Sequence, residues 1–273
     1  MRFTKMHGTG NDFVVIDARD SERDWAKLTV AMCDRHFGIG ADGLLTVLLS
    51  ERADLRMRMF NPDGSEAEMC GNGIRCFVKY AVEREIAALS DGALSVETLA
   101  GVLKTEATLV GERVESVRVA MGRPRLVAAQ AEGPVKELPL DVDGTTYPVT
   151  CVSMGNPHAV HFIDTPVADF PLEAIGPKVE HHALFPDRAN FEVARVLARH
   201  RIEARVWERG AGITLACGTG ASAVAVAARL HGLVDEKVEL LLPGGLLKLE
   251  WDGSGDVYLT GPAAEVFEGD WPE

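Results

Sequence analysis

Apolar positions in this chain come in short runs cut by glycine, asparagine and aspartate, the pattern of strands joined by tight turns. Residues 2–6 and 13–16 read as strands around the turn His7-Gly8-Thr9-Gly10-Asn11-Asp12, and residues 44–49 and 55–60 as two more. Asn61-Pro62-Asp63-Gly64 is a strong turn signal. Apolar spacing near three to four residues predicts helices over 25–34 and 73–85. Short strands follow from 94 to about 121, and Gly122-Arg123-Pro124 breaks the pattern. Strands are then expected at 147–154, 159–163, 192–196, 203–207, 238–242, 246–250 and 257–259. Residues 220–230 are apolar nearly all round a helix and are expected to be buried. Strands outnumber helices and come in runs, which favours an α+β class over a doubly wound sheet.

The pattern occurs twice. Cys70-Gly71-Asn72-Gly73 and Cys217-Gly218-Thr219-Gly220 each set a cysteine before a glycine-rich turn that enters an apolar helix, 147 positions apart. Asn61 and Glu208 each lie nine positions before their cysteine. Asn11 and Asn156, 145 apart, each precede a strand. A repeat of this period is an architectural unit and predicts two similar halves with one thiol each. The break at 122–124 is the expected boundary.

Composition narrows the partners. The chain has 273 residues, 47% of them hydrophobic, enough for two packed cores. Its formal charge of −13 argues against general affinity for nucleic acid or an anionic membrane surface. No apolar run is long enough to span a bilayer, and the first residues lack the apolar core of a signal peptide, so a cytoplasmic protein is expected. Five cysteines without a C-x-x-C do not suggest a disulfide framework or a structural zinc site. Cys33, Cys76 and Cys151 sit in apolar surroundings and read as buried small residues.

The repeated cysteines carry the chemistry. A thiol at a helix N-terminus feels the positive end of the peptide dipoles, which is expected to lower its pKa below about 8.5. Gly71, Asn72, Gly218 and Thr219 offer backbone amides suited to a carboxylate. Two such turns facing one pocket suit inversion at a carbon beside a carboxylate, with one thiolate removing the α-hydrogen and the opposite thiol returning a proton. Amides aimed at the developing enolate oxygens would stabilise the carbanionic state, with no metal or cofactor needed. Arg209 suits a carboxylate and Glu208 an ammonium, although adjacent charges also form plain surface pairs. Asn11, Asn61, Asn156 and Asn190 lie near turns or strand ends, where asparagine also serves structure alone. His158 is placed to tune a neighbouring thiol.

The run from Asn61-Pro62-Asp63-Gly64-Ser65-Glu66 through Met69-Cys70-Gly71-Asn72-Gly73-Ile74-Arg75 resembles the signature of the diaminopimelate epimerase family. The resemblance extends through His7-Gly8-Thr9-Gly10-Asn11-Asp12-Phe13, Gly155-Asn156-Pro157-His158 and Glu208-Arg209-Gly210-Ala211-Gly212 to Cys217-Gly218-Thr219-Gly220, essentially the whole chain. It implies two pseudo-symmetric α+β domains, each a curved mixed sheet wrapped around a central helix. These would be residues 1–121 with 263–273, and 122–262. It implies a cofactor-independent epimerase, interconverting LL- and meso-2,6-diaminopimelate in lysine and peptidoglycan precursor synthesis, and a homodimer. Cys70 and Cys217 match its acid/base pair. Gly71, Asn72, Gly218 and Thr219 match amides that hold the reacting carboxylate. Asn11, Asn61, Asn156, Asn190, Glu208 and Arg209 match substrate-holding positions, and His158 and Glu208 positions that influence the thiols.

Two residues depart from the common pattern: Ile213 stands where many members have Glu, and Leu44 where some have Gln. A proline or hydroxyproline racemase-like enzyme on the same scaffold is the nearest alternative, with the 61–75 signature and Glu208-Arg209 against it. A non-catalytic amino-acid binder with a redox-sensitive cysteine pair is the alternative of another class.

Overall fold

The computed structural model describes residues 1–126 and 136–272; residues 127–135 and 273, which the domain expectation also spans, lie outside the described residues. The chain divides into two compact units, Met1–Ala120 with Thr260–Glu273, and Met121–Leu259.

The first unit opens with a two-residue hairpin between β1 (Arg2–Gly8) and β2 (Asn11–Asp17). Thr9 and Gly10 have φ of 50° and 83°, the left-handed pair that matches the twist of the flanking strands. Then come α1 (Trp25–Cys33), β3 (Gly43–Leu48), β4 (Leu55–Phe60), β5 (Glu66–Ala67), α2 (Gly71–Glu83), β6 (Ala93–Thr98), β7 (Gly101–Val110) and β8 (Arg113–Ala120). β2 pairs parallel with β3, β3 antiparallel with β4, β4 antiparallel with β5 and parallel with β6, and β6 antiparallel with β7.

The continuous apolar run of β2 follows from burial on both faces of this sheet. Val14, Ile16, Leu44 and Phe60 pack in one cluster with Trp25 and Met32 of α1. Phe13 and Leu45, pointing the other way, meet the first turn of α2 at Gly73. Asp24 caps α1 by accepting from the Lys27 N–H at 3.0 Å.

The second unit repeats the plan with β9 (Leu138–Val142), β10 (Thr145–Ser153), β11 (Pro157–Phe162), α3 (Leu172–Glu180), β12 (Asn190–Ala198), β13 (Arg201–Glu208), β14 (Gly212–Thr214), α4 (Gly218–Leu230), β15 (Lys237–Leu242) and β16 (Gly245–Glu250). Its pairings match one for one. β11 runs parallel to β12, β12 antiparallel to β13, β13 antiparallel to β14 and parallel to β15, and β15 antiparallel to β16. Phe13 faces Gly43 across the first parallel pair and His158 faces Asn190 across the second, so the repeat holds to the residue. α4 is buried along Ala221–Ala228, as its unbroken apolar surface requires. β17 (Tyr258–Gly261) crosses the boundary between units, and β18 (Ala264–Asp270) pairs antiparallel with β1.

Five elements escape the hydrophobic pattern, among them the two short strands β5 and β14. α3 holds Gly176 and Pro177, which read as breakers. It persists because the Trp207 ring fills the space beside Gly176, where a Cβ would lie 2.5 Å from the ring. β9 is short and half-exposed, and β18 is mostly exposed, so neither shows a clean alternation. α2 begins at Gly71 rather than at 73, because Cys70 supplies the cap.

Behind the first hairpin, Asp12 accepts from Arg35 at 2.9 Å and pairs with Lys5 at 2.6 Å. Burial pushes the Asp12 carboxyl up, but the bonds from Arg35 and Lys5 outweigh this and hold it at about 2. The folded-state value lies below the unfolded one, so the stabilisation is complete above about pH 4 and is lost as pH falls through about 2. Urea titrations across this window should show the native chain losing about 2 kcal/mol more than Asp12→Asn, whose stability should lack that slope.

Candidate active site

Both central helices start on a cysteine. Cys70 is the N-cap of α2 at φ −138°, ψ 120°, and Cys217 the N-cap of α4 at φ −124°, ψ 118°. In each, the sulfur accepts the N–H three residues on, from Gly73 and from Gly220, both at 3.4 Å. A sulfur thus does what a serine or aspartate oxygen does at an ordinary N-cap. At Gly220 there is little room for a side chain. A Cβ at Gly220 would lie 3.4 Å from the Cys217 sulfur and 2.7 Å from Glu192 Oε1. Gly71 and Asn72, and Gly218 and Thr219, form the first turns of the two helices.

Around Cys70 the first unit gathers Asn11 and Asn72. The thiol donates to Asn11 Oδ1 at 3.6 Å, and Asn72 Nδ2 donates to the same oxygen at 3.1 Å. Arg75, fully buried one turn along α2, donates to Asn72 Oδ1, the Gly71 carbonyl, Thr9 Oγ1 and the Pro262 carbonyl at 2.9–3.1 Å. Burial lowers its pKa, and these four bonds are what make a buried guanidinium tolerable. β1 approaches at Gly8, where a Cβ would lie 2.9 Å from the Asn72 carbonyl oxygen. Asn61 stands at the end of β4 and donates to Ser65 Oγ at 3.0 Å, within its own turn.

Around Cys217 the second unit gathers Thr219, Asn156, His158 and Glu208. Thr219 Oγ1 lies 3.5 Å from the sulfur and accepts from Asn156 Nδ2 at 3.4 Å. Buried His158 bonds through Nε2 to Asn156 Oδ1 at 2.9 Å and through Nδ1 to Glu192 Oε1 at 2.7 Å. Glu208 Oε1 accepts from Thr214, and the Cys217 thiol hydrogen-bonds the Glu208 carboxylate. Asn190 fixes the backbone nearby: its Oδ1 accepts from the Arg209 N–H and its Nδ2 donates to the Pro157 carbonyl, both at 2.9 Å. The Arg209 guanidinium donates to the Asp187 carbonyl at 3.0 Å. A cavity of about 700 Å³ within this unit is lined by His158, Arg209, Ser153, Gly155, Phe185 and Arg188, among others.

The thiols differ. Cys217 is 6% exposed, and burial pushes it well above its usual range, with the Glu208 carboxylate adding to the shift. The expectation of a lowered pKa at a helix N-terminus is therefore corrected for Cys217, where desolvation outweighs the dipole. Burial also raises Glu208, opposed by the bonds from Thr214 and Cys217. Cys33, Cys76 and Cys151 are buried and pushed up to about 12, 12 and 11. Of the two departures, Leu44 lies fully buried in the cluster with α1, while Ile213 is on β14 and 37% exposed.

The family described as diaminopimelate epimerase matches residues 3–127 and 150–266. The chain is 52% identical over its whole length to "Diaminopimelate epimerase" of Moorella thermoacetica, covering 99% of that protein. It is 50% identical to the protein of the same name from Acetivibrio thermocellus, over 99% of this chain and 98% of that one. The chain belongs to the diaminopimelate epimerase family. Solved structures show how widely the fold is shared. A Bacillus anthracis phenazine biosynthesis protein of the PhzF family aligns with a TM-score of 0.72 at 19% identity, covering 98% of each chain. A hydroxyproline epimerase from Agrobacterium vitis, with bound trans-4-hydroxy-L-proline, aligns with a TM-score of 0.72 at 14% identity, over 98% of this chain and 91% of that one. At such identities these structures bear on the fold alone. For this family member, Asp42, Arg75 and Glu192 are site-adjacent residues that the hydrophobic pattern did not reveal. The available signal was a charge inside an otherwise apolar run. With substrate absent, limited iodoacetamide at pH 7.5 should label half-buried Cys70 before Cys217, by at least about tenfold, as peptide mass mapping would read.

Proposed function

We propose that this protein is a cofactor-independent isomerase that interconverts LL- and meso-diaminopimelate, supplying lysine and peptidoglycan precursor synthesis. Cys70 and Cys217 act as the two acid/base groups. What carries the reading is a cysteine N-cap repeated in two topologically matched units, in a chain half identical to diaminopimelate epimerases along its whole length.

In this scheme the two cysteine turns enclose one α-carbon. A thiolate takes the α-hydrogen from one face as the C–H bond breaks. The thiol on the other face gives its proton to the carbanionic carbon, forming the new C–H bond and leaving a thiolate. The next turnover in the opposite sense restores the first state. The first-turn amides of α2 and α4 bind the adjacent carboxylate and stabilise the enolate-like charge that builds on it. Asn61, Asn156, Asn190, Glu208 and Arg209 hold the remainder of the substrate, with Asn11 beside Cys70. Pairing the distal ammonium and carboxylate selects diaminopimelate over shorter amino acids, which would leave these polar groups unmatched. His158 and Glu208 set the protonation of Cys217, Glu208 through its direct bond to the thiol.

A high thiol pKa at rest is compatible with this chemistry. A buried thiol gives up its proton readily only to a strong base, and the carbanionic carbon is one. A cytoplasmic homodimer completes the reading. No helix among the described residues is long and apolar enough to cross a membrane.

In D2O, LL- and meso-diaminopimelate should each gain deuterium at the inverting centre. Cys70→Ala and Cys217→Ala should each lower epimerisation by at least ~10³-fold while circular dichroism stays native. Near-normal inversion by either variant would defeat the two-base scheme, and turnover of L-proline alone would defeat the substrate.

A further inference from the structure

Around Cys70 the hydrogen bonds form a chain with a fixed direction. Arg75 Nη1 donates to Asn72 Oδ1 at 3.0 Å, Asn72 Nδ2 donates to Asn11 Oδ1 at 3.1 Å, and Asn11 Nδ2 donates to Asp42 Oδ2 at 2.8 Å. A guanidinium can only donate and an ionised carboxylate can only accept, so the two ends leave neither amide a choice of orientation. Asp42 is itself held by the Asp12 N–H at 3.1 Å and by Arg35 at 2.7 Å. The thiol of Cys70 donates into the middle of this chain, at Asn11 Oδ1.

We propose that Asp42 and Arg75 are positioning residues that fix the Asn11 amide with its carbonyl, not its NH2, toward the Cys70 sulfur, and so bias Cys70 toward the protonated thiol at rest. A carbonyl oxygen accepts S–H and repels a thiolate, whereas an NH2 group would favour the thiolate. The bias opposes the Gly73 N–H and the helix dipole, which favour the anion. Among the described residues, this arginine-to-aspartate relay lies in the first unit. At the matching positions, 147 further on, Ala189 replaces Asp42, Thr219 replaces Asn72 and Ser222 replaces Arg75. Resting on the acid/base role of Cys70 proposed above, this leaves both thiols protonated before substrate arrives, Cys217 through burial, so the thiolate that takes the α-hydrogen forms only once substrate is bound.

Among the described residues, Arg75 and Cys76 on α2 interact electrostatically with Cys70, and Asp42 is linked to it through Asn11, with Arg35 bonded to both Asp42 and Asp12, and Lys5 to Asp12. Removing the Asp42 charge could therefore lower the Cys70 pKa through space, in the same direction as releasing Asn11. A double-mutant cycle separates the two. The readout is the pH midpoint of Cys70 alkylation by iodoacetamide, followed by peptide mass spectrometry on the full chain without substrate. It does not depend on turnover, so it fails or succeeds separately from the epimerase assignment. In Asp42→Asn the single carbonyl oxygen cannot serve both Arg35 and the Asn11 and Asp12 donors, so the hold on the Asn11 NH2 weakens and Asn11 is released from its one orientation. The Cys70 midpoint should fall by about one pH unit, ~10-fold more thiolate at a given pH. Asn11→Ala should lower it similarly, and adding Asp42→Asn to Asn11→Ala should change nothing further. An unchanged midpoint in either single variant overturns the proposal. An equal fall from Asp42→Asn with and without Asn11 also overturns it, since Asp42 would then act by charge alone. Should Asp42→Asn not fold, Asp42→Ala enters the cycle in its place with the same expected and overturning outcomes.

Discussion

A sulfur atom that accepts the amide three residues ahead of it sets the geometry of both halves of this protein. The bond closes the first turn of α2 and of α4 and holds the thiol at the positive end of a helix. The third position is glycine in both halves: a Cβ at Gly73 would lie 3.3 Å from Leu45 Cδ2, and one at Gly220 2.7 Å from Glu192 Oε1. The turn also requires the strands beneath to come close. Gly8 lets β1 reach the backbone of Asn72, and at Gly220 the missing Cβ leaves room for the Glu192 carboxylate. Sheet, helix and thiol are thus one construction, made twice.

The two constructions share a backbone and differ in electrostatics. Cys70 is half-buried and surrounded by amides whose orientation is fixed from outside by one cation and one carboxylate. Cys217 is buried beside Glu208, with Glu192 and His158 paired close by. Duplicated halves supply two thiols of similar geometry, but an epimerase needs one acid and one base at any moment. Divergence at 42, 72 and 75 against 189, 219 and 222 gives the two thiols different hydrogen-bond surroundings on matched strand pairings.

Much of this was legible in the chain itself. The apolar run at 13–16 and the all-round apolar helix at 220–230 correspond to elements buried on every side, because continuous burial leaves a continuous signal. α3 was not legible: glycine and proline argue against a helix, and only the Trp207 ring packed on Gly176 makes that position suitable. β9 and β18 owe their extension to pairing with β10 and β1, not to an alternation of their own. Among site residues, the repeated turns marked the cysteines and their amides. Arg75, Asp42 and Glu192 left no such mark, since each is a lone charge with a partner more than 30 residues away, at Thr9, Asn11 and His158.

The order of residues determined that there are two halves, that each carries one thiol at the start of a buried helix, and which family the chain belongs to. These depend on local turn chemistry and on a period, both of which are written along a line. Tertiary structure alone decided the surroundings of the thiols. A helix N-terminus by itself lowers a thiol pKa, yet burial and the Glu208 carboxylate push Cys217 the other way. At Cys70 an arginine 5 residues on and an aspartate 28 residues back settle which face of an asparagine the sulfur meets. Desolvation and hydrogen-bond direction depend on what surrounds an atom in space, and no spacing in the sequence encodes that.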